Sequence, residues 1–114
     1  KAMTMAVNLN RLTTGTMNVN AGHKRTSKAR IIHQIQPIRG ITDFSTLAIQ
    51  TSNKYLGVEM YYEKQRVKPG DSIRTQLQGG LGESQFKFVL IKKQGKDVSK
   101  GPFTGSAVLV MSAD

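Results

Sequence analysis

The stretch Gly101-Pro-Phe-Thr-Gly-Ser-Ala-Val-Leu-Val-Met-Ser-Ala-Asp114 decides the fold. Gly101-Pro102 is a turn pair, and the residues after it alternate. Side chains alternate across a strand, so Phe103, Ala107, Leu109 and Met111 share one face. Thr104, Ser106, Val108, Val110 and Ser112 share the other, polar at its ends and β-branched in the middle. The segment reads as a closing strand with one face for a core.

The same rhythm extends backwards. Ser84–Lys93 is a strand with Phe86, Phe88 and Leu90 on one face, and the basic loop Gln94–Lys100 joins it to the closing strand. Ile73, Thr75 and Leu77 alternate after Lys68-Pro69-Gly70-Asp71, a strong turn signal. Gln78–Glu83 is a glycine-rich loop. Tyr55–Gln65 reads as one strand with Leu56, Val58, Met60 and Tyr62 inward. Thr46–Thr51 is a short strand with Leu47 and Ile49 inward, or part of a helical turn over 41–50. Arg30–Ile38 places Ile31, His33, Ile35 and Pro37 on one side, with Pro37 marking an edge or a strand end. Thr16–Asn20 is extended, with Met17 and Val19 on one face. At the N-terminus Met3, Met5, Val7 and Leu9 are apolar at odd positions, against small or polar even ones. Short strands with turn signals between them indicate an all-β sandwich or barrel.

At 114 residues the chain is expected to be one domain. It has no cysteine, which excludes disulfides and thiolate metal sites. No apolar run approaches the length of a spanning helix. Lys1 in place of methionine is read as a processed or trimmed terminus that a secretory signal could precede. Seventeen Lys and Arg against seven acids give a net charge of +10, a field that favours anionic partners such as sulfated or sialylated glycans, nucleic acid or acidic proteins.

The ending Gly101-Pro102-Phe103-Thr104, with Ala107, Leu109, Val110 and Ser112 beyond it, resembles the last strand of chaperone–usher fimbrial subunits of Gram-negative bacteria. A strand like Phe86–Leu90 precedes that ending in the family, as here. Ala113 stands where many members carry an aromatic residue. The lack of cysteines is similar to the disulfide-free subset. The resemblance implies an immunoglobulin-like β-sandwich that is one strand short, completed by a donor strand from the neighbouring subunit. It implies a division into a donor segment, residues 1–10, and a pilin domain, 11–114. Met3, Met5, Val7 and Leu9 would then be the knobs of the donor. Phe86, Phe88, Leu90, Phe103, Ala107, Leu109 and Met111 would line the acceptor groove. The implied partners are copies of the chain, a periplasmic chaperone and an outer-membrane usher, and the implied location is the bacterial surface, reached through the periplasm. The alternative for residues 3–9 is the ordinary one: the first strand of their own domain, as in a tip subunit that donates nothing.

The remaining candidates are weaker. Lys24, Arg25, Lys28 and Arg30, joined by Lys92, Lys93 and Lys96, are candidates for binding an anionic host ligand, against the reading of solvated basic loops. Tyr55, Tyr61 and Tyr62 could stack on bases, but structural tyrosines are the more usual outcome. His23 and His33 have no partner at metal-ligand spacing. Glu59 and Glu63 share a strand face, read as a solvated edge. Gln78–Gly82 lacks the Lys-Ser/Thr of a phosphate loop. No enzymatic activity, metal or cofactor is expected. The functional expectation is a structural subunit of an adhesive fimbria. The alternatives are a β-rich virion coat or decoration protein and a basic nucleic-acid- or glycan-binding domain.

Overall fold

The computed structural model describes residues 3–12, 14–22, 25–98 and 101–113. Nine strands are assigned among them: β1 (Met3–Asn8), β2 (Thr16–Gly22), β3 (Arg30–Pro37), β4 (Ala48–Gln50), β5 (Leu56–Tyr62), β6 (Gln65–Val67), β7 (Ile73–Gln76), β8 (Glu83–Lys92) and β9 (Ser106–Ala113). They form two antiparallel sheets. One has the order β1-β9-β3-β7. The other has the order β2-β8-β5-β4, with β6 also on β5.

The sheets pack because each strand carries one apolar face. Ile31 and Ile35 of β3 and Ala107, Leu109 and Met111 of β9 point into the sandwich. Phe86 and Phe88 of β8 and Val58 and Met60 of β5 meet them from the other sheet. Burial alternates along β9 and along β8 from Glu83 to Phe88, so register there is fixed by which face is buried, while Val89–Ile91 of β8 are all half-buried. Burying side chains of this size contributes about 1.5–3 kcal/mol each.

Several expectations are corrected. The strand read as Tyr55–Gln65 is a hairpin: β5 stops at Tyr62, and β6 returns along it, pairing Tyr62 with Gln65. The two turn residues are Glu63 and Lys64, at φ +50° and +67°. Such a tight hairpin turn needs positive φ at both central positions, which side-chain-bearing residues adopt at a cost. The hairpin explains a second departure. Glu59 is not on a solvated edge but buried, because β6 brings the Arg66 guanidinium to 2.8 Å from its carboxylate. The helical turn over 41–50 is absent, and β4 buries Ala48 and Ile49 while Leu47 is only half-buried. Here Gly57 lets β4 and the 42–45 loop close on β5: a Cβ at Gly57 would lie 2.7 Å from Thr42 Cγ2. The closing strand starts at Ser106, so Phe103 lies before it, half-buried.

His33 is buried in the core, edge-on to Phe86. Its Nδ1 lies 3.4 Å from Ser84 Oγ. Ser84 Oγ bonds Thr75 Oγ1, which bonds the Tyr62 hydroxyl at 3.0 Å. These four residues come from β3, β8, β7 and β5, so one hydrogen-bonded chain ties both sheets together. Buried polar groups persist in a core when they are satisfied in this way.

Candidate assembly site

The functional expectation centres on the two ends of the chain, and the structure places them side by side. β1 runs antiparallel to β9, with Met3 opposite Met111, Met5 opposite Leu109 and Val7 opposite Ala107. It is the outermost strand of its sheet and, among the described residues, pairs with β9 only. In the single chain, then, the position beside the closing strand is filled by the chain's own residues 3–8. Val7 and Leu9 belong there to the same cluster as Phe86, Phe88, Ala107, Leu109 and Met111.

Burial along this segment is graded. Met3 is 46% exposed, Met5 is half-buried, Val7 is 4% exposed and Leu9 is fully buried. The four expected knobs are not four strand residues. Asn8 ends the strand, its side chain accepting from Asn10 N–H at 3.2 Å, and Leu9–Arg11 form a 3₁₀ turn. Asparagine competes for backbone donors in this way at turn and helix starts. Leu9 enters the core from the turn, and its N–H donates to Gly105 O at 2.7 Å. The approach is close: a Cβ at Gly105 would lie 3.1 Å from Leu9 Cβ and 3.3 Å from Thr51 Cγ2. A second clamp holds the start of β9. Ser52 N–H donates to Thr104 O, and Thr104 N–H donates to Ser52 Oγ, both at 2.7 Å.

Of the residues expected to line an acceptor groove, Ala107, Leu109 and Met111 lie on β9 beside β1. Phe86, Phe88 and Leu90 lie on β8, which is in the opposite sheet, so they form the floor of the position and not its flank. Phe103 is outside the buried cluster.

The anion-binding set does not form one site. Lys24 lies outside the described residues. The loop carrying Arg25 and Lys28 is held to the β7–β8 turn by Thr26 N–H to Gly80 O, near the start of β8. Lys92 and Lys93 sit at its other end, and ten strand residues span about 33 Å. At that far end Lys93 Nζ pairs with Asp43 at 3.5 Å. Lys54 and Lys96 lie over the Tyr55 ring, at 5.1 and 5.9 Å from its centroid. Tyr61 is likewise covered, by Lys87 at 5.1 Å, so neither ring presents a free face for base stacking on that side. No cluster of three metal-ligating side chains occurs among the described residues. The Ser84–His33 contact in the core is sealed from solvent and serves packing.

This architecture is the immunoglobulin-like sandwich of pilins. It superposes on a Burkholderia pseudomallei antigen and type I fimbria protein with TM-score 0.77 and 14% identity, over 98% of this chain and 99% of that one. It superposes on the P pilus rod subunit PapA with TM-score 0.64 and 15% identity, over 100% of this chain and 79% of that one. The likeness that the closing strand suggested to fimbrial subunits therefore holds across the fold. No protein-family model and no curated protein matches the sequence.

Proposed function

We propose that the chain is a structural subunit of an adhesive bacterial surface fimbria, assembled by donor-strand exchange on the chaperone–usher route. The observation that carries this reading is the β1–β9 seam. A terminal edge strand, bonded to β9 alone among the described residues, inserts alternate apolar side chains beside the closing strand. In a fibre the β1 of the next copy takes that place, with Met3, Met5 and Val7 in the same register and Leu9 in the same pocket. Strand addition of this kind gains backbone hydrogen bonds and buried side chains together.

Energetics make an assembly factor useful. Val7 and Leu9 alone contribute about 3–6 kcal/mol when buried, at the usual value for each side chain. The chain's own strand and a neighbour's strand make the same contacts, so the resident strand competes with the incoming one. A periplasmic chaperone that holds the β9 edge open, and an outer-membrane usher that receives the complex, would remove that competition. The +10 charge then serves the polymer as a repeated field for anionic host ligands, with no single pocket required.

The test is complementation in two parts. A chain lacking residues 1–10 is expected to be unstable alone and to be rescued by a peptide of residues 1–12, as judged by a cooperative thermal transition. Failure of the peptide to restore that transition, or normal fibre assembly by the truncated chain, overturns the reading.

A further inference from the structure

Two of the sheet edges are short or charged. β7 has four residues and includes Arg74. Beside β5 the edge is shared by β4 and β6, three residues each, and β6 carries Arg66. Short length and inserted charge are the usual means of keeping edges from pairing further. The other two edges lack them. β1 has six residues and β2 seven, with no charged residue and no proline in either. Both flank one side of the sandwich, with a groove of about 470 Å³ between them. Met5, Val7, Met17 and Val19 line it, together with one charged residue, Arg11, from the turn after β1.

Among the described residues β2 pairs with β8 alone. The phase of its open edge is set by one bond. Gly15 O accepts from Leu90 N at 2.8 Å, one step beyond the Thr16–Val89 pair. Bonded residues alternate in an antiparallel ladder. The backbone N–H and C=O groups of Thr16, Asn18, Asn20 and Gly22 therefore point away from β8, and their residues are exposed.

We propose that β2 is a second assembly edge, where two copies of this chain join β2 to β2, antiparallel, and merge two five-stranded sheets into one. Charge restricts where two copies can meet. Copies that each carry +10 repel, and they can approach closely only along an uncharged surface. The seven residues of β2 carry no charge, the nearest charged side chains being Arg11 beside the groove and Lys87 and Glu83 one strand back, and the outward groups of β2 are self-complementary about a two-fold axis through Val19. Around this axis Asn18 exchanges both bonds with the partner's Asn20, and Thr16 with the partner's Gly22. Met17 and Val19 of each copy are covered in the process. β1 is uncharged too, but it is the strand that fibre assembly consumes. The β2 joint uses neither β1 nor β9. It goes beyond strand exchange and would tie neighbouring fibres side by side.

The experiment is Val19→Cys in a chain that has no other cysteine. On the axis the two Val19 Cα atoms form a non-bonded pair about 4.5 Å apart, within disulfide reach. Mild oxidation of the folded protein is expected to give a covalent dimer that reductant dissolves. Gln85→Cys, on the exposed face of β8, should remain monomeric. Adding Asn18→Lys to Val19→Cys places like charges diagonally across the joint and should cut the dimer about twofold. Sedimentation of the cysteine-free protein gives an independent readout: the average mass should rise with concentration, and Asn18→Lys should suppress the rise. Strand-exchanged polymers withstand reductant, so the two kinds of assembly are told apart in one gel. Cross-linking at Val19 no faster than at Gln85, or sedimentation unaffected by Asn18→Lys, overturns the proposal.

Discussion

Leu9→Ala and Met3→Ala are the informative pair for the N-terminal segment. Both are large apolar residues of the same alternating run, and sequence alone treats them as equals. The structure does not: Leu9 is fully buried in the turn after β1, while Met3, the first residue of β1, is 46% exposed. Truncating a buried leucine costs about 2–5 kcal/mol, from lost transfer energy and the cavity left behind. Leu9 should fall near the middle of that range, because its backbone stays clamped by the bond to Gly105 O and the site cannot collapse fully. Met3→Ala should cost less than about 1 kcal/mol, since most of what it loses was already in water. Urea denaturation of the single chain separates the two. With a slope of about 1.5 kcal/mol/M, a loss of about 3 kcal/mol moves the midpoint down by about 2 M, and Met3→Ala moves it by well under about 1 M. Equal shifts for both variants, with unchanged slope, would refute the graded seam and the place of Leu9 in the core.

The packing has further consequences. Replacing Glu63-Lys64 by Asn-Gly removes side-chain-bearing residues from positive φ and should stabilise the β5–β6 hairpin by about 1 kcal/mol, seen as a higher melting temperature. Gly57→Ala puts a methyl 2.7 Å from Thr42 Cγ2 and 3.1 Å from Ala48 Cβ, and should destabilise by about 1–3 kcal/mol in the same denaturation assay. Ser84→Ala breaks the chain from Tyr62 to His33 and should cost about 1–3 kcal/mol, because the Thr75 and His33 groups lose a buried partner.

The parts of the fold legible in the sequence were those where one strand face is buried and the turn residues are specific. β9 alternates throughout and β8 as far as Phe88, and Lys68–Asp71 closes as expected, with Gly70 at φ +96° and Asp71 N–H on Lys68 O. The β5–β6 hairpin was illegible because Glu-Lys is not the residue pair such a turn favours. Glu59 was misplaced for the same reason, since its partner Arg66 arrives only through that hairpin. Leu9 fitted the period of two by position but belongs to a turn; Asn8 and Asn10 were the available signal. The basic residues looked like one set because charge can be counted along a chain, whereas their separation depends on which end of β8 each loop meets. Nor could a period of two tell whether β1 pairs within its chain or with a neighbour. The knobs and the slot are the same in either case.

That ambiguity defines the decisive measurement. Thr4 and Val110 are direct partners across the seam, on the outer face of the sheet. One chain carries Thr4→Cys and a second carries Val110→Cys; the two are assembled together and oxidised. The account predicts a covalent bond between the two different chains in the fibre, and an intrachain bond when both cysteines are placed in one monomer. Ready closure within the doubly substituted monomer, with no linkage between the singly substituted chains under assembly conditions, would contradict it.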